Sequence, residues 1–397
     1  MLSIRPRYAL LAGTLAGVIA AAGISACASH LRNPWPNPEA TLEAQERSNR
    51  MPVRVVDADD PSSVSQLVSE LKSKRVVFVG ETHDRYDHHL NQLAVIRGLH
   101  QRGDDLAIGM EFFQEPFQTY LDQYVAGAID EKTLLKKTQY YERWRYDYRL
   151  YRDILVYARN HRIPLVALNA PTELVAKVSE RGIAGLAPED RAQLAADLVP
   201  ADRAYKGRLR PIFALHGAMP EERFERFVGV QLLWDEFIAR AARDYLEANP
   251  GRKMVVLAGS GHVAYPDAIP GRLARMIGAE SAVVLTGNGE SHEAGAVDFV
   301  FTERDIDLGP PGQMGMMLAG GDGGVTVREV RPSGPAARAG FRPGDRILSI
   351  AGERIGDMAD VKLALLDRTP GEEVWVEARS GAEPAPDSSY GRALRLL

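Results

Sequence analysis

The chain has 397 residues, of which 45% are hydrophobic and 25% charged, and its formal net charge is -5. This length and apolar content predict two or three domains with at least one full core, and they exclude wholesale disorder. The 48 basic and 53 acidic residues leave no excess of positive charge, so nucleic acid is not an expected partner. A single cysteine excludes an intramolecular disulfide framework and any multi-thiolate metal site, so a bound metal would need His, carboxylate or Tyr ligands.

The N-terminus has the layout of a secretory signal, with Arg5 and Arg7 ahead of a small-apolar run from residue 8 to residue 23. The run leads into Ile-Ser-Ala-Cys, which resembles a bacterial lipobox, in which the cysteine thiol takes a diacylglycerol. We therefore expect a lipoprotein signal over residues 1–27 and a lipid anchor at Cys27 that places the mature protein on a membrane of the cell envelope. By resemblance to lipoprotein sorting rules, Ala28 after the cysteine favours the outer membrane.

Beyond the cysteine, the chain is predicted to divide into three parts. Residues 28–49 are polar and contain prolines, which is typical of a tether. Residues 50–305 carry the patterns of an α/β domain. Residues 306–397 form a short C-terminal domain that begins near a Pro/Gly joint.

Continuous apolar runs predict the buried strands of the α/β domain. Four such runs are separated by amphipathic stretches: 76–79, 106–110, 165–168 and 254–258. Runs of this kind suit strands buried on both faces, so the fold class is α/β, with a mostly parallel central sheet flanked by helices. Residues 282–285 are a fifth candidate strand. The polar stretch from Thr172 to Asn249 contains helical patterns and predicts a helical insertion.

Polar side chains follow these predicted strands, each at the point where a strand ends. Glu81 and His83 follow the first, Glu111 the second, Asn169 the third, and His262 lies just after the fourth. In parallel α/β sheets, ligands bind in the crevice outside the carboxyl ends of the strands. We therefore expect these side chains to meet at one edge of the sheet.

A helix is predicted to begin near His88, with Asp84 or Asp87 as its cap. His88 and His89 fall on adjacent stripes of this helix, so either ring has a place in the core, at the surface or in the crevice.

A series of ordered motifs carries a resemblance to a known family. The motifs lie at residues 77–84, at His89 with Gln92, at 109–113, 144–149, 163–171 and 259–263. Together they resemble the ChaN-like haem-binding lipoproteins, part of a wider group that includes erythromycin esterases and the Tiki metalloproteases. The resemblance covers roughly residues 75–286. It implies an envelope lipoprotein that binds haem and takes part in iron acquisition, and it implies kinship with hydrolases.

Haem binding requires an axial ligand, a flat apolar slot and cations for the propionates. The candidate contacts are His83, His89, Tyr140, Tyr141, Tyr146, Arg143, Arg145 and His262. Imidazole or tyrosinate ligates the iron, and guanidinium groups pair with the carboxylates. Trp144, Tyr148, Tyr151 and Leu155 fall at helical spacing, which predicts packing instead. The choice of axial ligand stays open between the tyrosines and the histidines.

Hydrolysis is the alternative chemistry for the same edge. Glu81 orients His83 as a proton acceptor in this interpretation, and Glu111 and His262 complete either an acid–base set or a site for a divalent metal such as zinc, manganese or iron. Ser260 lies outside any Gly-X-Ser-X-Gly motif, which disfavours serine esterase chemistry.

The C-terminal domain has its own signature. Residues 335–350 resemble the PDZ domains of bacterial envelope proteases, which implies a β-rich fold. Met314, Gly315 and Met316 match the loop whose backbone amides receive a peptide's terminal carboxylate, and residues 316–319 are predicted to form the edge strand that pairs with the peptide. No protease triad accompanies the module. The expected partner is therefore an envelope protein or a peptide C-terminus.

The preferred interpretation is an envelope lipoprotein that binds haem and docks a partner through its PDZ domain. The alternative is a metal-dependent hydrolase of a peptide or ester. A third possibility is a scaffold with a vestigial crevice.

Overall fold

The computed structural model describes residues 53–194, 198–215, 217, 219–287, 296–381 and 389–397. The predicted signal, Cys27 and the tether lie outside these residues. The chain divides into two compact units. Unit 1 combines the described residues up to Leu121 with Asn160–Arg304, and unit 2 combines Asp122–Arg159 with Asp305–Leu397.

The described helices are, in chain order, α1 (Pro61–Glu70), α2 (Tyr86–Gln101), α3 (Gln118–Val125), α4 (Glu131–Lys137), α5 (Tyr140–Arg143), α6 (Arg149–His161), α7 (Thr172–Arg181), α8 (Pro188–Arg191), α9 (Arg203–Ala214), α10 (Glu221–Ala248), α11 (Ser260–Val263), α12 (Ile269–Ile277), α13 (Pro335–Ala339) and α14 (Met358–Leu365). Aspartates cap several of them, because a carboxylate accepts a backbone N–H that a helix start leaves unpaired. Asp60, Asp130, Asp202 and Asp357 do so at α1, α4, α9 and α14.

The described strands of unit 1 are β1 (Arg54–Val56), β2 (Val76–Glu81), β3 (Leu106–Gln114), β4 (Leu165–Asn169), β5 (Lys253–Gly259), β6 (Ser281–Thr286) and β7 (Phe299–Phe301). They form one sheet in the order β1-β7-β6-β2-β5-β3-β4, and every pair in it is parallel. The predicted α/β class and the five predicted strands are confirmed. β1 and β7 were not predicted, because three residues are too few to show a pattern.

Burial on both faces explains why these strands are continuous apolar runs. Every residue of β2, β3, β4 and β5 is buried. Residues such as Phe78 and Val256 pack with Ile238 of α10 and Leu273 of α12 in one cluster. The predicted helical insertion is present as α7 to α10 between β4 and β5.

The described strands of unit 2 are β8 (Met316–Gly321), β9 (Gly324–Val330), β10 (Arg346–Ile350), β11 (Glu353–Arg354), β12 (Glu373–Arg379) and β13 (Ser389–Arg395). They pair antiparallel in the order β13-β12-β10-β9-β8, and β11 pairs with β10. The alternating burial of β12 is typical of a sheet with one face on the core. This confirms the predicted β-rich C-terminal domain.

Unit 2 also contains the helical segment Asp122–Arg159, which polar contacts join to the residues after Asp305. Lys136 of α4 pairs with Asp360 of α14. Arg152 of α6 pairs with Asp367 at 2.5 Å. These contacts hold the segment against the α14 side of the C-terminal residues.

No described helix is both long enough and apolar enough to cross a membrane.

Candidate functional site

The register of three neighbouring strands in unit 1 brings two carboxylates to the same edge. Glu81 ends β2 and is level with Gly259, which ends β5. On the other side of β5, Met110 of β3 is level with Leu257, so Glu111 comes one residue further along. The two glutamates therefore flank the end of β5.

Gly259 provides the space in which these side chains meet. A Cβ at this position would lie 3.0 Å from Cε1 of His83 and 3.7 Å from Oε2 of Glu111. The first distance is tighter than ordinary van der Waals contact, so a larger residue would displace the histidine ring. The backbone N–H of Gly259 donates to Oε2 of Glu111 at 2.6 Å, which fixes that carboxylate.

Glu81 and His83 form a buried ion pair. Nδ1 of His83 lies 2.5 Å from Oε1 of Glu81. Burial alone would raise the pKa of Glu81, but the charge of His83 lowers it below its ordinary value. Burial opposes protonation of His83, yet Glu81 and then Glu111 raise the pKa of the ring to about 9. The carboxylate and the imidazolium thus stabilise one another.

The second oxygen of Glu81 is buried and could accept a cation or a hydrogen-bond donor. Glu81 is only 2% exposed, and its Oε2 has no hydrogen-bond partner among the described residues. Buried carboxylate oxygens are normally paired, so an unpaired one marks a place for a cation or a donor. Glu81, His83 and Glu111 each offer one ligand atom, and these atoms lie within 4.8 Å of one another. Carboxylate and imidazole ligands suit divalent metals such as zinc or manganese.

His262, on the short helix α11, lies beside this group. Its Nε2 is 3.9 Å from Oε1 of Glu111, and its Nδ1 is 2.6 Å from Oδ1 of Asp235. Burial opposes the charged ring, but Asp235 raises the pKa of His262 above its ordinary value. The hydroxyl of Tyr205 donates to the other oxygen of Asp235 at 2.7 Å. Asp235 thus sets the orientation of His262, and Tyr205 in turn holds Asp235.

Asp235 is a site residue that the sequence did not reveal. It lies in the middle of α10 and is 1% exposed. Its signal was an acidic residue inside an otherwise apolar helical stretch, where a buried charge needs a partner. The partner, His262, is distant in the chain.

Three further polar side chains near the end of the sheet make hydrogen bonds within the protein. The side-chain amide of Asn169 donates to the backbone carbonyl of Glu111 at 2.8 Å. The hydroxyl of Ser260 donates to the backbone carbonyl of Glu81 at 3.2 Å. Both ring nitrogens of His89 lie within hydrogen-bond distance of oxygens, on Gln92 and on the backbone of His83. In this arrangement these three side chains brace the site, and neither ring nitrogen of His89 is turned toward a ligand.

The start of α2 differs from the prediction. Arg85 occupies the N-cap position and makes no capping hydrogen bond with its side chain, so the predicted caps Asp84 and Asp87 are wrong. Asp87 instead binds the guanidinium of Arg85. His88 is buried, and its Nδ1 accepts the backbone N–H of Thr82 at 3.0 Å. It supports the turn that presents His83.

The aromatic segment belongs to unit 2, and the structure sorts its residues into two groups. Trp144, Tyr148, Tyr151 and Leu155 are buried, as their helical spacing predicted. Tyr140, a predicted haem contact, is only 1% exposed and packs edge-on against Tyr148. Tyr140 thus lies in the core, and its role as a haem contact stays a prediction. Arg143 donates to the side chain of Gln139 at 2.8 Å and does not line the cavity described next.

The remaining predicted contacts of this segment line a cavity within unit 2. Tyr141, Arg145 and Tyr146 face a space of about 610 Å³ that the predicted peptide loop also lines, with Met314, Gly315 and Met316. Burial, followed by the charge of Asp147, raises the pKa of Tyr141.

Gly315 is required in the peptide loop. Its φ of +74° is in the left-handed region, and a Cβ there would lie 2.7 Å from Cδ of Pro335. The predicted edge strand is present as β8, whose described pairing is with β9 alone.

The fold and the site define a class: a parallel α/β protein with a buried carboxylate–histidine cluster at the carboxyl edge of its sheet, followed by a β-rich C-terminal module. The chain belongs to the family described as haem-binding uptake, Tiki superfamily, ChaN, whose model matches residues 67–273. A PDZ domain model matches residues 312–383. Both resemblances read from the sequence are thereby confirmed.

Several solved structures are similar to parts of the chain. ChaN of Campylobacter jejuni, solved with cofacial haem, is 20% identical over 59% of this chain and 89% of that chain, with a TM-score of 0.47. An erythromycin esterase mutant in its open conformation is 15% identical over 57% of this chain and 73% of that chain, with a TM-score of 0.37. The HtrA3 PDZ domain bound to a phage-derived ligand is 21% identical over 21% of this chain and 83% of that chain, with a TM-score of 0.18. No curated protein matches the chain.

Proposed function

We propose that this protein binds haem at the cell envelope, takes part in haem or iron acquisition, and docks an envelope protein or peptide C-terminus through its PDZ domain. The observation that carries the haem part is membership of a haem-binding uptake family over residues 67–273. The PDZ match over residues 312–383 supports the docking part.

Two side chains fit the role of iron ligand. In His262, the hydrogen bond from Nδ1 to Asp235 leaves Nε2 as the donor atom, which is how proteins commonly orient a metal-binding histidine. In unit 2, Tyr146 lines the cavity together with Arg145, and a guanidinium there can pair with a propionate. Haem, when bound, supplies an iron that accepts an axial nitrogen or oxygen and two carboxylates that pair with cations.

Haem titration of the full-length protein tests this proposal. We expect a saturable Soret shift in the wild type, and its loss or displacement in either His262→Gln or Tyr146→Phe. His161→Gln is the control, because His161 is exposed and outside both candidate sites. A wild type without a saturable shift would refute haem binding. A shift that survives both substitutions would refute these two ligand assignments.

Attachment to the envelope is proposed through a lipid on Cys27, in the outer membrane. The lipobox-like sequence and the absence of any other cysteine support it. Several acyl chains are needed for a stable anchor, because each buried methylene contributes only about 0.8 kcal/mol. The variant Cys27→Ser should move to the soluble fraction when cells are fractionated. Unchanged membrane retention would show that the anchor is something else.

A metal-dependent hydrolase is the second candidate function. The cluster of Glu81, His83 and Glu111 favours it, because their ligand atoms lie within 4.8 Å and one buried carboxylate oxygen has no described partner. These three residues would hold the ion, with His262 beside them. A divalent ion in such a site supplies Lewis acidity and lowers the pKa of a bound water. His262 would lie beside the ion, with its Nε2 3.9 Å from Oε1 of Glu111.

Metal binding separates this candidate from the first. Calorimetric titration with zinc and with manganese should show one site in the wild type. In Glu81→Gln, which removes an anionic ligand, the affinity should fall by more than the roughly 10-fold to 100-fold that the loss of an outer-shell partner costs. Glu189→Gln serves as the control, because Glu189 is an exposed carboxylate at the start of α8. A wild type that binds neither metal, and whose Glu81→Gln form equals it in assays of peptide and ester cleavage, would eliminate the hydrolase.

A further inference from the structure

The cavity of about 610 Å³ in unit 2 runs along the open edge of strand β8. Met316 and Leu318 of β8 line it, and Lys362 of helix α14 lines it too. β8 pairs with β9 and with no other described strand, so the backbone groups along its second edge can pair with an extended peptide. Met317 is 53% exposed on this strand. The cavity is therefore suited to strand addition.

Residues outside the region that matches a PDZ domain, 312–383, form one wall of this cavity. Tyr141, Arg145 and Tyr146 line it, and all three belong to the segment Asp122–Arg159, which precedes the PDZ domain by more than a hundred residues of chain. The ion pairs described above hold this segment against the α14 side of unit 2. A peptide that adds to β8 would therefore meet side chains that the PDZ domain itself does not contain.

The charged side chains that line the cavity carry an excess of positive charge. Arg149 pairs with Asp147 at 2.7 Å and these two charges offset one another. The others are three cations and one anion: Arg145, Arg331, Lys362 and Glu329. Arg145 is exposed, and its Nε donates to the backbone carbonyl of Glu142 at 3.1 Å. The cavity thus favours a negatively charged occupant.

We propose that the segment Asp122–Arg159 completes the peptide groove of the PDZ domain and makes it select C-terminal peptides that carry acidic residues upstream of an apolar end. This inference rests on the proposed docking function and specifies its partner. The apolar end fits the lining methionines and Leu318, while the acidic residues face Arg145. Tyr141 lies on the same wall and contacts the peptide.

Binding of short synthetic peptides to the full-length protein in detergent tests this inference. The probes share an apolar end and differ upstream, where they carry Asp, Ser or Lys; one further Asp peptide has an amidated C-terminus. We expect the Asp peptide to bind about five-fold more tightly than the Ser peptide, because a few partly exposed ion pairs contribute on that scale. The Lys peptide should bind most weakly, and amidation should abolish binding.

Two matched substitutions assign the preference to the segment. Arg145→Glu should remove the preference for the Asp peptide over the Ser peptide. Arg143→Glu makes the same charge change on the same segment but away from the cavity, and it should keep the preference. Gly315→Val, which strains the peptide loop, should lower the affinity for all peptides alike.

The outcomes distinguish this inference from the docking on which it rests. Peptides that require a free carboxylate but bind equally with Asp and Lys would overturn the selection and leave PDZ docking intact. An Asp preference that survives Arg145→Glu would show that the PDZ domain alone supplies it. If no peptide with a free carboxylate binds, docking and selection both fail.

Discussion

Individual buried charges in unit 1 are stabilised by specific partners, and the partner decides what each can do. His83 and His88 are close in the chain and both are buried, yet their pKa values move in opposite directions. His83 lies against Glu81 and is held as a cation. His88 accepts a backbone N–H at Nδ1, so its neutral form is the one the fold requires.

The neutral state of His88 predicts a pH dependence of stability. Burial lowers the pKa of His88 from 6.5 to about 4. The unfolded chain therefore binds a proton more readily than the folded one between these values, and the free energy of unfolding should fall as the pH drops through that window, by up to about 3 kcal/mol. In His88→Asn, which keeps an acceptor for Thr82, the fall should be smaller.

Hydrogen exchange of the β2 and β5 amides, corrected for intrinsic rates, measures this effect. The exposed His161→Asn should behave as the wild type. Equal pH slopes in His88→Asn and the wild type would contradict a neutral buried His88.

At the scale of elements, close packing between strands and the short helix α11 defines the crevice. Gly80 in β2 lies where a Cβ would collide with Leu285 of β6 and would come within 2.7 Å of Cγ2 of Val263 in α11. A glycine therefore allows α11, and with it His262, to lie close to the sheet. The cluster depends on this close approach as much as on its own polar residues.

Gly80→Ala should therefore destabilise unit 1, by about 1–3 kcal/mol, because overpacking a buried strand forces its neighbours to move. Gly261→Ala is the matched control, since a Cβ there would meet no heavy atom within 4 Å. Urea denaturation of both variants measures the difference in free energy of unfolding. If the two substitutions have equal effects, the contact of β2 with α11 is looser than the structure indicates.

At the scale of the whole molecule, each compact unit combines two stretches that are separate in the chain. The segment Asp122–Arg159 lies between two strands of the unit 1 sheet in sequence, yet it packs in unit 2 with residues after Asp305. Arg152, for example, pairs with both Glu131 and Asp367. The C-terminal residues are thus part of the environment that orders this segment.

Truncation after Arg304 tests this packing. We expect faster hydrogen exchange across α4, α5 and α6, because the truncation removes Asp360 and Asp367 as ion-pair partners along with their apolar neighbours. Exchange in β2 and β5 should stay as in the full-length protein, and these strands act as the internal reference. Unchanged protection of the segment would mean that it is ordered without the C-terminal residues.

The sequence alone was sufficient for the class of each fold and for the order of the polar residues that follow the strands. Continuous apolar runs indicate strands that are buried on both faces, and the PDZ motifs indicate turns that need particular residues. Both patterns lie within short stretches of the sequence. Glu81, His83 and Glu111 follow from them, because parallel strands end at a common edge.

Only the tertiary structure decided the partners of these residues. Asp235 meets His262, 27 residues further along the chain, because α10 packs beside the short helix α11 that follows β5. Tyr140 lies in the core while Tyr146 lines a cavity, although both come from one aromatic segment. Helical spacing shows which side chains share a face, but which surface covers that face depends on packing between elements far apart in sequence.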